Sequence, residues 1–179
     1  VLKSGDVFSA HPCIDPASKF NNGQPSLINF GIKPGPSSKI NIYEFDVTGK
    51  IIQQYDCAIP GFCFIHDFVI TPNYCIFFQN PVSYNPFPFI FGLKGAAECL
   101  KFVESKPSKI IIISRQSPDH KVQILEADAG FIFHHVNAFE QNNHLIVDSV
   151  SYEELTQTDI GKDYKQIDFE KVAPGRLWR

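Results

Sequence analysis

Methionine is absent from the 179 residues and tryptophan occurs once. With no initiator Met, a start that runs into an apparent strand and a stop at Arg179, the chain is expected to be a piece of a longer protein. Neither a CxxC pair nor an HExxH stretch occurs, which leaves a structural zinc site or a zinc protease without support. There is no basic block, and the net charge of -3 argues against nucleic acid as a partner. No apolar run reaches the ~18 residues that a membrane-spanning helix needs. No signal peptide opens the chain.

What is present is the balance of a folded protein with one sizeable core: 44% apolar and 20% charged residues. Phenylalanine is overused, at 17 residues. Cysteine is odd in number, at Cys13, Cys57, Cys63, Cys75 and Cys99. Three of these lie in or beside apolar runs, so they read as buried, reduced thiols, which favours a reducing compartment.

Read along the chain, short apolar stretches alternate with turn residues roughly every ten positions. Strands are expected at Asp6–Ala10, Ser26–Ile32, Lys39–Asp46 and Lys50–Cys57. The hairpin Phe62–Pro81 (FCFIHDFVITPNYCIFFQNP) is expected to turn at Pro72-Asn73. Further strands are expected at Lys109–Ser114 and Lys121–Glu126, around a turn at Ser117-Pro118-Asp119, and at Phe131–Glu140, His144–Val150 and Lys165–Val172. Cys13–Pro25 reads as a loop and Lys33–Ser38 as a turn. Val82–Gly95 reads as irregular, because its prolines oppose both helix and central strand. One or two helical turns are expected in Ala96–Val103, and a short helix capped by Ser151 over Ser151–Asp159. The fold class is all-β with little helix: a sandwich, barrel or propeller rather than alternating β-α units.

A weak repeat sharpens this. His11, His66 and His134 each sit at or near the end of one strand, with the next strand of a hairpin following. Their separations, 55 and 68 residues, are about one propeller blade. Equivalent positions in successive blades converge on the axis. A lone buried imidazole is more often a hydrogen-bonded core residue than a ligand; three in one phase favour a metal, and an all-imidazole site with open positions suits Fe(II).

Three segments carry a resemblance. GDVFSAHPCIDP (Gly5–Pro16), FIHDFVITPNYCIFFQNP (Phe64–Pro81) and FHHVNAFE (Phe133–Glu140) resemble signature segments of the carotenoid oxygenase family, in the family's order and near its spacing. The resemblance implies that residues 1–179 form about three blades of a seven-bladed β-propeller. It implies Fe(2+) on the axis, held by four histidines. It implies O2-dependent cleavage of a carotenoid or apocarotenoid double bond to aldehyde or ketone products. Carried over, His11, His66 and His134 match three of the ligands; the fourth, and the glutamates that orient the imidazoles, fall outside this chain. His135 reads as structural and facing away, and His120 and His144 as surface residues. Two alternatives stay open: a propeller that only binds a ligand or partner, and a family member that isomerises its substrate.

An apolar polyene needs apolar walls. Phe64 and Phe68 share the strand parity of His66, and Phe133 adjoins His134, so these three are candidate substrate contacts, with Phe89 as a fourth. The resemblance places the tunnel mouth and a membrane-touching patch at Pro86–Gly95, rimmed by Lys94. The implied location is cytoplasmic with peripheral membrane attachment, or the plastid in a plant. Without the fourth ligand, the isolated 179-residue chain is expected to bind iron weakly and to show no useful turnover. Metal analysis and a polyene cleavage assay on the purified fragment check this; tight stoichiometric iron with turnover refutes it.

Overall fold

A computed structural model describes residues 2, 6–33, 35, 37–116, 119–153, 155, 168, 170 and 172–179. Its strands are β1 (Cys13–Ser18), β2 (Gln24–Lys33), β3 (Ser37–Phe45), β4 (Ile51–Pro60), β5 (Phe68–Ile70), β6 (Tyr74–Gln79), β7 (Val82–Tyr84), β8 (Leu100–Phe102), β9 (Ser108–Ser114), β10 (Val122–Ala127), β11 (Phe131–Gln141), β12 (His144–Tyr152) and β13 (Arg176–Trp178). One helical turn, α1 (Phe87–Ile90), and two 3-10 turns complete the described elements. The strands form antiparallel sheets in the orders β1-β2-β3-β4, β10-β9-β6-β5 and β11-β12-β13, with β7-β8 as a separate pair.

The three larger sheets stack face to face, and the side-chain period of two explains how. In β6, Cys75 and Phe77 point into a core shared with Ile28, Phe30, Ile40 and Ile42 of the first sheet. Ile76, one residue out of phase, points the other way and packs with Val69 and Ile112 against Ala138, Leu145 and Val147 of the third sheet. The run of four isoleucines in β9 divides the same way, Ile111 and Ile113 to one side, Ile110 and Ile112 to the other. A sheet covered on both faces loses the alternation of polar and apolar residues, hence the unbroken run.

The structure departs from several sequence expectations. Cys13–Pro25 is not a loop: it holds β1 and a 3-10 turn. Pro16, which lacks an N–H, is tolerated because β1 is an edge strand whose register shifts between Asp15 and Ser18. Asp6–Ala10 forms no strand, although the Ser9 N–H donates to the Phe30 carbonyl at 2.8 Å. The segment crosses β2 at Gly31, where an added Cβ would lie 1.9 Å from the Val7 carbonyl oxygen. The first arm of the Phe62–Pro81 hairpin is a strand only from Phe68; before it, the Gln79 side-chain amide donates to the Phe62 carbonyl at 2.8 Å.

Val82–Gly95 contains β7 and α1; Pro86 and Pro88 are compatible with a helical turn because they fall at its N-cap and within its first turn. Ala96–Val103 yields a single 3-10 turn followed by β8. Ser151 caps no helix at its position, since it and Tyr152 end β12; most of the remaining expected helix, positions 154 and 156–159, lies outside the described residues. The same is true of most of Lys165–Val172, of Ser117-Pro118 and of positions 34 and 36. β13 was not foreseen.

Arg115 ties the first sheet to the second. Only 2% exposed, its guanidinium donates to Asp15 of β1 at 2.8 Å, lies 3.4 Å from Glu44 of β3 and donates to the Thr71 carbonyl in the β5–β6 turn at 2.7 Å. Ser18 and Ser26 hydroxyls donate to the same Glu44 carboxylate. Removing one member of such a set leaves buried charge without a partner, at a cost of about 3–5 kcal/mol. Arg115→Ala in the whole protein is therefore expected to lose about that much stability in chemical denaturation; a loss under about 1 kcal/mol contradicts the arrangement.

Candidate metal centre

None of the three repeated histidines lies in a regular stretch of ladder. His11 is in the irregular segment before β1, its N–H donating to Ser9 Oγ at 3.1 Å. His66 lies between Gly61, held at φ +78, and the start of β5, so it is not in mid-strand as its apolar neighbours suggest. His134 is within β11, where the pairing with β12 shifts register between Ile132 and His135. Such a bulge re-aims a side chain that regular alternation would send elsewhere.

The three imidazoles converge. Their ring centroids are 4.6, 5.0 and 5.1 Å apart, the rings are inclined to one another by 54–79°, and the His11 and His66 Nε2 atoms are 2.9 Å apart. One ligand atom from each histidine lies within 4.8 Å of the others. Burial, with smaller contributions from His11 and His134, pushes the His66 pKa below its usual value, while Asp67 opposes the shift. A neutral imidazole offers a lone pair. A mutual hydrogen bond satisfies at most two of these rings, whereas one cation between them satisfies all three. The donor set therefore fits a divalent transition-metal ion.

His135 turns the other way. Its Nδ1 lies 2.7 Å from Ser149 Oγ, its ring packs on Phe78, and burial pushes its pKa down to about 4, against the opposing pull of Asp67. His144 is exposed. His120 is not a free surface residue: its ring stacks on Tyr55 at 3.5 Å and 3°.

The aromatic candidates separate. Phe133 meets the His66 ring edge to face at 5.5 Å, Phe131 meets Phe133 at 4.5 Å, and Phe64 meets Phe131 at 6.1 Å. Together they form one aromatic wall leading to His66. Phe131 was missed because its position at the start of β11 gives no sequence sign of direction. Phe68 does not face the histidines: it is buried between Phe30 and Phe77, because His66 precedes the strand and the two residues share no alternation. Phe89 is exposed on α1 and makes no ring contact with the histidines among the described residues. A cleft of about 240 Å³ opens beside the imidazoles, lined by Ser9, His11, Phe30, Ile32, Ile65 and His66. A larger apolar groove of about 620 Å³ lies between the second and third sheets and excludes all three converging histidines.

All five cysteines are free thiols. Burial raises the pKa of the Cys13, Cys63 and Cys75 thiols to about 12, which favours their protonated, unreactive form.

This arrangement has close counterparts. The chain is 46% identical over 179 residues to the apocarotenoid-15,15'-oxygenase of Synechocystis sp., covering 100% of this chain and 36% of that protein. It is 26% identical over 141 residues to a carotenoid 9,10(9',10')-cleavage dioxygenase of Crocus sativus, covering 78% of this chain and 24% of the relative. Its fold superposes on the crystal structure of cobalt-substituted Synechocystis ACO with a TM-score of 0.93 at 46% identity, over 100% of this chain and 37% of that one. The chain thus spans about a third of the length of that oxygenase, and its stacked sheets are part of a β-propeller. The family model for retinal pigment epithelial membrane protein matches residues 2–179, and with all but the first residue inside that match, this chain belongs to that family, the carotenoid oxygenases.

Proposed function

We propose that this chain supplies three histidine ligands, His11, His66 and His134, to the Fe(2+) centre of a dioxygenase. The whole enzyme cleaves a carotenoid or apocarotenoid double bond with O2, giving two aldehyde or ketone products. The observation that carries the reading is the convergence of three imidazoles, from the segment before β1, the segment before β5 and β11, to ligand atoms within 4.8 Å of one another.

Fe(2+), when held there, supplies the binding and activation of O2. The rest falls to the chain's own residues. The irregular backbone around each histidine sets where its imidazole points, and burial favours the neutral form of His66 that can ligate. A polyene has no hydrogen-bonding group along its length, so it is held by shape and apolar contact. Phe64 and Phe133, backed by the buried Phe131, offer aromatic surface leading to His66, and Ile32 and Ile65 line the cleft beside it. Such walls also exclude water from the reacting bond. Both oxygen atoms of O2 end in the two carbonyl groups formed from one C=C, so no further reductant is required.

The Pro86–Gly95 segment is proposed as the point of contact with a membrane, for an enzyme that is cytoplasmic and peripherally attached. Phe87, Phe89, Ile90, Phe91 and Leu93 are all exposed around α1. Large apolar side chains clustered this way are costly in water and favourable in the interfacial region of a bilayer. Among the described residues no helix is long and apolar enough to cross a membrane.

In the whole enzyme, His66→Ala is expected to lower bound iron at least about tenfold and to abolish polyene cleavage, with the circular dichroism spectrum unchanged. Retained cleavage refutes the ligand assignment. Replacing Phe89 and Phe91 together by Ser is expected to weaken liposome sedimentation by about tenfold or more, since each removes well over 1 kcal/mol of apolar burial. Unchanged sedimentation refutes the membrane contact.

A further inference from the structure

Asp67 directly follows His66, and its two carboxylate oxygens reach different parts of the chain. Oδ1 accepts the N–H of Phe68 at 2.8 Å, which folds the side chain back onto the start of β5. Oδ2 accepts the N–H of His135 at 2.9 Å, across 68 residues of sequence. His135 follows His134. One carboxylate therefore spans two imidazole-bearing segments, at points one residue from each imidazole.

The place where it meets β11 matters. Around His134 the ladder to β12 slips, with Ile132 opposite Ser151 but His135 opposite Ser149. A bulged backbone has more freedom than a paired one, and the carboxylate fixes it there by taking the His135 N–H. From the far side, Ser149 Oγ holds the His135 ring at 2.7 Å. Other side-chain links join the β5–β6 region to β11. Asn80 exchanges hydrogen bonds with the Ile132 backbone at 2.9 and 3.0 Å, and the Asn73 amide donates to Glu140 at 2.8 Å. Of these links, that of Asp67 lies beside two converging imidazoles.

We propose that Asp67 is a positioning residue for the metal: its carboxylate fixes the spacing of His66 and His134 and so sets the affinity of the site for a divalent ion, without itself ligating. This rests on the reading that the three imidazoles hold a metal. Ligand sets bind best when each donor atom is held in place before the ion arrives, and loss of such outer contacts typically weakens metal affinity about 10–100-fold.

The test uses the whole protein and Co(II) alone as probe, followed by its visible absorption, together with thermal unfolding of the metal-free form. Asp67→Asn keeps the size of the side chain but presents an N–H where one acceptor stood. Asn73→Ala cuts a comparable link to β11 farther along the strand. Asp67→Asn is expected to weaken Co(II) binding about 10–100-fold and to shift the absorption bands, with a metal-free unfolding temperature no lower than that of Asn73→Ala. Asn73→Ala is expected to bind Co(II) within about twofold of the parent. The proposal is overturned if Asp67→Asn binds Co(II) like the parent, if Asn73→Ala weakens binding as much, or if Asp67→Asn fails to fold without metal. A parent protein that takes up no Co(II) overturns the metal reading itself; a parent that binds, beside an Asp67→Asn variant that binds equally, overturns the positioning role alone.

Discussion

The converging histidines lie just before β1, just before β5 and within β11, strands of three different sheets, so their meeting depends on how those sheets are fixed to one another. Between the first two sheets, the buried Arg115 guanidinium reaches Asp15, Glu44 and the Thr71 carbonyl at once. A buried ion cluster is a poor source of net stability, because desolvation cancels most of its attraction. Its strength is directional. Hydrogen-bonding groups on β1, β3 and the β5–β6 turn must all lie where one planar group reaches them, which excludes sliding of one sheet over the other. Between the second and third sheets that task passes to apolar packing around Ile76 and Ile112, aided by the side-chain links from Asn80 and Asn73.

The hairpins were legible because their signals are local. Alternation marks β3 and β4, and the turn between them is closed by Asp46, whose carboxylate accepts the N–H groups of Thr48 and Lys50. Asn142 and Asn143, both at positive φ, join β11 to β12 in the two-residue turn that suits the twist of paired strands. β1 was hidden by Pro16, since a proline in an edge strand looks like one in a loop. The three histidines were found through their spacing and the motifs around them, yet the backbone under them was not. Alternation assumes an unbroken strand, and the chain departs from that rule at His66 and His134. The misplacement of Phe68 follows from the same assumption. Arg115 was invisible for another reason: its partners lie 100, 71 and 44 residues away, and nothing in its neighbours marks it as buried.

The abundance of phenylalanine divides into three uses. Phe30, Phe68 and Phe77 form a stacked and edge-to-face group that fills the first core. Phe64, Phe131 and Phe133 lead up to His66. Phe87, Phe89 and Phe91 face outward around α1. Composition does not distinguish these uses. Only the stacking of one sheet on the next decides which rings are covered on both sides, which on one, and which on none.

The double-sided burial of the second sheet has a consequence for how the chain is made. Each hairpin can close within about 1–10 μs once synthesised. The chain itself grows at about 5–20 residues per second, so the 68 residues between His66 and His134 take roughly 3 to 14 seconds to emerge. During that interval Val69 and Ile76 have no third sheet to cover them, and two imidazoles face each other without the third. The nascent protein thus passes through a stage with a bare apolar sheet face, for seconds rather than microseconds. This is the kind of intermediate that draws chaperones, and its lifetime is set by the ribosome.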